Sequence, residues 1–197
     1  KRLGWIWNEL GKSPLANAIQ HLAAMAILCV EPFPSSTISD LKTYYEASGY
    51  MADQHMRKAY AVVRSEKDKE VVKSIIQLVY QPWLENINIL FQKLVEKDTS
   101  IFTGQKASEE TEGFVLFVDA FRYELAHEFA DRLKKLKYQV ALNSSWSAIP
   151  SLTPTAKPNV SPVAISVTES SPIKEFRPQL SNGKDLQTAA FREQLAA

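Results

Sequence analysis

The stretch FVLFVDAFRYE, residues 114–124, decides how the second half of the chain is expected to fold. A short apolar run over residues 114–118 ends in one carboxylate, Asp119, and a helical pattern begins directly after it. Apolar residues recur on one face of that helix, at Phe121, Leu125, Phe129, Leu133 and Leu136. This order predicts a buried strand followed by a crossover helix of an α/β sheet. Ligands bind at the carboxyl ends of such strands, and a carboxylate there is costly to bury unless it is paired or binds a metal.

The chain beyond this helix is rich in proline. A second strand-like run covers residues 138–142, and six of the ten prolines lie between residues 150 and 178. Because proline removes a backbone donor and breaks helix interiors, we expect extended or looping structure around a site in this region. The pair Asn182-Gly183 predicts a turn, and residues 186–195 predict a short terminal helix.

These segments together resemble the start of the alkaline phosphatase superfamily, and more closely its PglZ branch from BREX phage defence. The resemblance is carried by VDAFRYE at residues 118–124 and by PSLT at residues 150–153. Further likeness comes from TAKP at 155–158 and SPVA at 161–164. Each motif alone would be weak, but their order along the chain makes the match more specific. The resemblance implies that residues 113–197 are the N-terminal part of an incomplete PglZ/alkaline phosphatase-like α/β domain.

The resemblance also implies a two-metal site. In the superfamily, the Asp that follows this strand binds one of two catalytic ions, and that position is Asp119 here. Thr153 matches the nucleophile, which also ligates metal, and Ser151 is the alternative hydroxyl. The expected ions are zinc, manganese or magnesium. Two structural alternatives stay open: Asp119 caps the helix that follows it, or Thr153 is an ordinary N-cap in a proline-rich loop.

Some features depart from the superfamily pattern. Phosphodiesterase relatives often carry Asn three residues after the nucleophile, where this chain has Ala156 followed by Lys157. The superfamily completes its site with downstream Asp and His residues, but no histidine follows Thr153. The full ligand set is therefore expected to lie outside this chain, and the 197-residue chain alone is expected to be inactive. Its first residue, Lys1, also suggests a piece of a longer protein.

Other polar residues of the motif region have a second interpretation. Arg122 is placed to orient Asp119 or to bind a partner carboxylate, and the alternative is a surface ion pair with Glu124. His127 shares a face with acidic residues opposite the apolar stripe, so the pattern predicts a solvated position. His21 and His55 lie beside apolar faces of N-terminal helices and are predicted to be boundary residues.

The first half of the chain is predicted to be all helical. Ser13-Pro14 is a helix-start signal. Apolar residues recur at helical spacing through this half, and they include Ile19 on the first predicted helix and Trp83 on the last. One helix is predicted to stop near Gly49. Two more are predicted, one over about 52–64 with Met56 on its apolar face and one over 66–80, and the last is predicted to start at Pro82. The predicted fold class is thus mixed α+β and α/β, with an all-α region over 1–105, a linker over 106–112 and the α/β sheet domain after it.

The composition limits the function classes. The chain is 45% hydrophobic and 23% charged with a net charge of +1, which is typical of globular protein and implies no strong attraction to nucleic acid. The single cysteine, Cys29, excludes an intrachain disulfide framework and suits a reducing cytoplasm. No apolar run has the length of a transmembrane helix, so no membrane association is expected.

These expectations combine into two hypotheses. The first is a cytoplasmic PglZ-like component of BREX antiviral defence, acting in full length as a metal-dependent phosphohydrolase or nuclease on a phosphoester or nucleic acid. The resemblance implies other BREX defence proteins, including the DNA methyltransferase, as partners. The second hypothesis is a catalytically inactive scaffold or protein-interaction module of the defence complex. A weaker third is an unrelated α/β domain with a chance match.

Overall fold

The computed structural model describes most of the chain, namely residues 10, 13–34, 36–98, 101, 114, 116–118, 120–146, 151–168 and 178–196. These residues are mostly helical and contain one two-stranded sheet. The contacts divide the chain into two compact units, Lys1–Asp98 with Arg122–Val140 and Thr99–Phe121 with Ala141–Ala197. The helix that follows the motif at 118–124 belongs to the first unit, although the sequence predicted it in the second domain.

The first unit is helical, as the sequence predicted for this half of the chain. Its elements are α1 (Pro14–Val30), α2 (Ile38–Tyr44), a π-helical turn (Tyr45–Gly49), α3 (Tyr50–Val62), α4 (Glu66–Lys97) and α5 (Tyr123–Lys135). Side-chain caps start two of the helices. Thr37 accepts a hydrogen bond from the Asp40 amide at 3.1 Å, and Ser65 accepts one from the Asp68 amide at 3.2 Å. Each cap satisfies a helix N–H that has no partner within the helix.

Two predicted helix boundaries are wrong. Gly49 does not end a helix; it lies in the π-helical turn, and the helix continues into α3. A side chain there would meet the Tyr45 ring at 3.0 Å, so glycine permits the close approach. Pro82 lies inside α4, which runs without a break. Proline in a helix interior costs about 3 kcal/mol, but the buried Tyr80 and Trp83 on either side pack into the core and offset it.

The core of the first unit lies between α1, α3 and α4. Its fully or nearly buried members are Ala18, Leu22, Met25, Ala52, Ala59, Val63, Val72, Tyr80 and Trp83. The prediction that Trp83 is a core residue is confirmed, since it is 3% exposed. Ile19 was predicted to face inward and is instead 56% exposed, because α1 buries the face of Ala18, Leu22 and Met25.

Helix α5 packs in the opposite orientation to the predicted one. Its buried residues are Glu124 and Ala130, whereas Phe129 of the apolar stripe is 47% exposed and Leu136 is 68% exposed. The residues of α5 that contact α3 include Glu124 and Glu128, which pair with Arg57 of that helix, and His127, whose ring stacks on Tyr50. Ionic and aromatic contacts therefore both hold this face of α5 on the helical unit.

The second unit contains short elements. They are α6 (Thr153–Asn159), a 3₁₀ helix (Pro162–Ser166), β1 (Val167–Thr168), β2 (Gln179–Leu180) and α7 (Thr188–Ala196). The two strands pair antiparallel, with Val167 opposite Leu180. The predicted turn is confirmed, since Gly183 has a φ of 77° and donates its amide hydrogen bond to Leu180. Left-handed φ values of this kind favour glycine. The predicted terminal helix is confirmed as α7.

The two strands predicted around the motif region are not formed. Residues 114, 116–118 and 138–142 have no strand structure, and Phe114 and Leu116 are exposed. A strand needs a neighbour for its backbone N–H and C=O groups. Within the described ranges, the only paired strands are β1 and β2, so this neighbour is missing. The described residues thus form the predicted helical region and a small antiparallel sheet, and they contain no parallel sheet of the alkaline phosphatase kind. None of the described helices has the length and apolar content to cross a membrane.

Candidate functional site

Buried polar side chains gather around α3 in the first unit. Asp53 is buried, and each of its carboxylate oxygens accepts one hydrogen bond from a tyrosine, Oδ2 from Tyr45 and Oδ1 from Tyr80, both at 2.5 Å. Burial raises the pKa of both phenols, and the neighbouring carboxylate raises it further. The tyrosines therefore stay neutral donors. Their hydrogen bonds to Asp53 connect the π-helical turn and α4 to α3.

A second charged group lies at the start of α5. The Glu124 side chain is 0% exposed, and its Oε1 lies 3.0 Å from Arg122 Nε and 3.7 Å from Arg57 Nε. Neither Glu124 oxygen accepts a well-directed hydrogen bond, so these contacts are ionic rather than hydrogen-bonded. Arg122 and Glu124 thus form an ion pair, but its Glu124 end is buried rather than at the surface. A buried carboxylate needs compensating charge, and two guanidinium groups supply it here.

Glu128 extends this charged group by one helical turn. Arg57 Nη2 donates to Glu128 Oε2 at 2.6 Å, and Arg132 donates to the other oxygen at 2.9 Å. The hydrogen bond from Arg57 is the main cause that lowers the pKa of Glu128. We call Arg57, Arg122, Glu124 and Glu128 the arginine–glutamate cluster. It connects α5 to α3 through the two ion pairs of Arg57.

His127 is held among aromatic rings. Its ring stacks on Tyr50 with centroids 4.2 Å apart and meets the edge of Tyr123 at 4.7 Å. Its Nε2 is buried and makes no hydrogen bond. The prediction of a solvated His127 is thus wrong. The helical pattern identified the polar face of α5 but not the aromatic surface against which this face packs.

The backbone before α5 has an unusual conformation. Ala120 adopts a φ of 55°, a left-handed value that non-glycine residues rarely adopt. Such conformations cost of order 1 kcal/mol and cluster at functional sites. Asp119, the predicted metal ligand, lies outside the described residues. The N-cap of α5 is Arg122, whose side chain makes no capping hydrogen bond.

Thr153 is the first residue of α6 and is exposed. Its alternative role as the N-cap does not hold, because Leu152 occupies that position. Thr155 satisfies the Leu152 backbone, since its hydroxyl accepts from the Leu152 amide at 3.3 Å and donates to its carbonyl at 3.1 Å. These bonds leave the Thr153 hydroxyl at the surface of the second unit.

The surroundings of α6 contain one cation and a small cavity. Lys157 Nζ lies 5.3 Å from the centre of the Phe191 ring of α7, a cation–π distance. A cavity of about 290 Å³ is lined by Pro154, Pro178, Asp185, Leu186 and Gln187. Asp185 accepts a hydrogen bond from Gln179 at 3.2 Å. The alternative hydroxyl, Ser151, is exposed, and Trp146 is half-buried.

The described residues around Thr153 do not supply the ligand set of the predicted metal site by themselves. They contain no group of three or more His, Cys, Asp or Glu side chains arranged to hold an ion. The Thr153 hydroxyl is one weak oxygen ligand, whereas zinc takes four ligands in structural sites and keeps three protein ligands in catalytic ones. The predicted site with zinc, manganese or magnesium therefore depends on Asp119 and on further ligands.

One residue of the buried network has a signal in the sequence. Asp53 precedes Met56 by three residues, on the face of α3 predicted to be apolar, and a carboxylate in that position indicates a buried hydrogen-bonded group. No protein-family model, curated protein or solved structure matches the chain. The function is therefore argued from the motifs and from the contacts described above.

Proposed function

We propose that the chain is part of a PglZ-like component of BREX antiviral defence, and that the full-length protein is a metal-dependent phosphoesterase of the alkaline phosphatase superfamily. The observation that carries this proposal is the exposed Thr153 hydroxyl at the first residue of α6, at the position that matches the superfamily nucleophile. The partial positive charge of a helix N-terminus favours phosphoryl oxygens.

The residue roles in this proposal follow the two motifs. Thr153 attacks or ligates at the phosphorus, and Asp119 binds one ion of zinc, manganese or magnesium. The left-handed Ala120, directly after Asp119, supports a functional role for this turn. The proposed fold of residues 113–197 is the opening of an alkaline phosphatase-like α/β domain. Its strand-like runs would pair with strands that the described residues lack.

The proposal also covers the substrate, the compartment and the partners of the protein. The substrate is a phosphoester or nucleic acid, the compartment is the cytoplasm, and the partners are other BREX proteins including the DNA methyltransferase. The net charge of +1 indicates that any nucleic acid would be bound through a local site rather than through the overall charge of the chain.

A second candidate is a scaffold without turnover. The arginine–glutamate cluster favours it, because Glu124 of the first motif pairs with Arg57 of α3 at 3.7 Å and with its motif neighbour Arg122 at 3.0 Å. Motif residues that hold a helix in place can be required for structure alone. In this case the helical unit presents α5, and the defence partners bind the protein without chemistry.

The two candidates are separated by variants of the full-length protein. We expect Asp119→Ala and Thr153→Ala to abolish hydrolysis of a chromogenic phosphodiester in the presence of manganese or zinc. Ser151→Ala is the matched control, since it removes an exposed hydroxyl two residues away and should keep activity. Circular dichroism should show that all three variants are folded. Wild-type hydrolysis and phage restriction in both Asp119→Ala and Thr153→Ala would favour the scaffold.

A further inference from the structure

Two histidines of the first unit face each other across α1 and α3. His21 Nδ1 lies 3.1 Å from His55 Nδ1, and the ring centroids are 5.3 Å apart. The two helices form the most extensive helix–helix contact among the described residues. The rings are therefore held by a packed interface, and both are half-buried rather than fully exposed.

The separation of the two nitrogens is close to that of two ligands on one ion. Imidazole nitrogens bind zinc at about 2.0–2.1 Å, so two of them in tetrahedral geometry lie about 3.3–3.4 Å apart. We propose that His21 and His55 form a binding site for a divalent transition-metal ion of the copper, nickel or zinc class. To admit the ion, the nitrogens must separate by a few tenths of an ångström and both rings must rotate, so that their Nδ1 lone pairs point to the ion instead of along the line between the two nitrogens.

The protonation state of the pair suits this role. Burial lowers the pKa of both rings, and the charge of Lys58 lowers it further, as His21 also does for His55. The neutral ring is the form that binds metal. The present contact needs one Nδ1 to carry a proton and the other to accept it. When the ion binds both Nδ1 atoms, that proton is replaced by one on Nε2 of the same ring, and both rings stay neutral.

The site has two protein ligands. No third His, Cys, Asp or Glu joins them in the part of the chain that the structure describes. Water would fill the remaining positions. Copper should bind most tightly and zinc less tightly, in the Irving–Williams order. The Lys58 charge, which lowers the pKa of both histidines, should also repel the ion.

This inference goes beyond the proposed phosphoester site and uses none of its residues. Its test therefore does not depend on hydrolysis. Titration of the 197-residue chain with copper, nickel and zinc, followed by calorimetry above pH 7, should give one saturable ion per chain. His21→Gln and His55→Gln should each lose this binding. His127→Phe is the control, because it removes the remaining histidine and keeps a ring on Tyr50.

Lys58→Gln supplies a test that misfolding cannot imitate. Loss of the repelling charge should tighten copper binding by roughly two- to fivefold. Copper electron paramagnetic resonance should show coupling to two imidazole nitrogens in the wild type and in His127→Phe. Binding that survives in the folded His21→Gln/His55→Gln double variant would overturn the proposal. So would weaker copper binding in a folded Lys58→Gln variant.

Discussion

Arg57 of α3 donates a hydrogen bond to Glu128 of α5 at 2.6 Å, and its Nε lies 3.7 Å from the buried Glu124 carboxylate. One guanidinium thus serves two carboxylates that are one helical turn apart. Arg122 supplies the second cation for Glu124 at 3.0 Å. The start of α5 is therefore fixed by charge pairs whose removal should be costly, because Glu124 has no access to water.

Arg57→Ala should destabilise the fold by about 1–3 kcal/mol, since it leaves a buried carboxylate with one cation instead of two. The measurement is chemical denaturation at neutral pH. Arg132→Ala is the matched control, because Arg132 also donates to Glu128, at 2.9 Å, but is mostly exposed. Exposed pairs contribute about 0–1 kcal/mol. Equal losses in the two variants would show that Glu124 does not depend on Arg57.

Tyr45→Phe and Tyr80→Phe should each cost about 1.5–3 kcal/mol, because each removes one hydrogen bond to the buried Asp53 carboxylate and keeps the ring. Tyr138→Phe removes an exposed hydroxyl and should cost almost nothing. Denaturation midpoints compare the three variants. A neutral result for Tyr80→Phe would mean that water replaces its hydroxyl at Asp53.

The alkaline stability of the fold should follow from the same network. The folded-state pKa of Tyr45 and Tyr80 is raised above the ordinary value of 10.0, so their contribution is present below pH 10 and is lost as the pH rises further. The unfolded chain releases these protons first, which favours unfolding. Tyrosinate absorbance should rise together with the loss of helical circular dichroism. Full ionisation of every tyrosine before unfolding would contradict this.

The stability of the fold at acidic pH should depend on the pair of His21 and His55. The pKa of both His21 and His55 is lowered from 6.5, so the unfolded chain takes up protons that the folded chain does not. Their contribution to stability is present above pH 6.5 and is lost as the pH falls towards the lowered values. In metal-free buffer, the wild type should lose stability over this range more steeply than a His21→Gln/His55→Gln variant. Parallel pH profiles would exclude protonation of this pair as the cause.

Much of the first unit was predictable from the sequence. The start of α1 at Pro14, the Thr37 cap and the inward Trp83 follow from local rules on caps and periodicity. The continuity of α4 through Pro82 was not predictable, because packing of the residues on either side outweighs the local cost of proline. Local signals also identified the turn at Gly183, whereas the helix α6 at Thr153 lies in the proline-rich region for which extended or looping structure was predicted.

The orientation of α5 was not predictable from periodicity. The apolar stripe indicates which face avoids water, but it does not reveal that Arg57, 67 positions before Glu124 in the sequence, lies opposite the charged face. Likewise, an apolar run becomes a strand only where a neighbouring strand accepts its hydrogen bonds. Contacts between residues distant in sequence therefore determine both the orientation of α5 and whether the apolar run forms a strand. The candidate site was hard to predict for the same reason, because Asp119 lies between the apolar run and α5.

The orientation of α5 is tested by Phe129→Ala. If this ring belonged to a core, its loss would cost roughly 3–5 kcal/mol. Since the residue is 47% exposed, we expect about 1 kcal/mol, in line with the smaller apolar area removed from water. Leu22→Ala in the core is the reference and should cost about 2–5 kcal/mol. A loss in Phe129→Ala as large as that in Leu22→Ala would mean that the apolar stripe is packed in solution, and that α5 uses both faces rather than only the one held by Arg57.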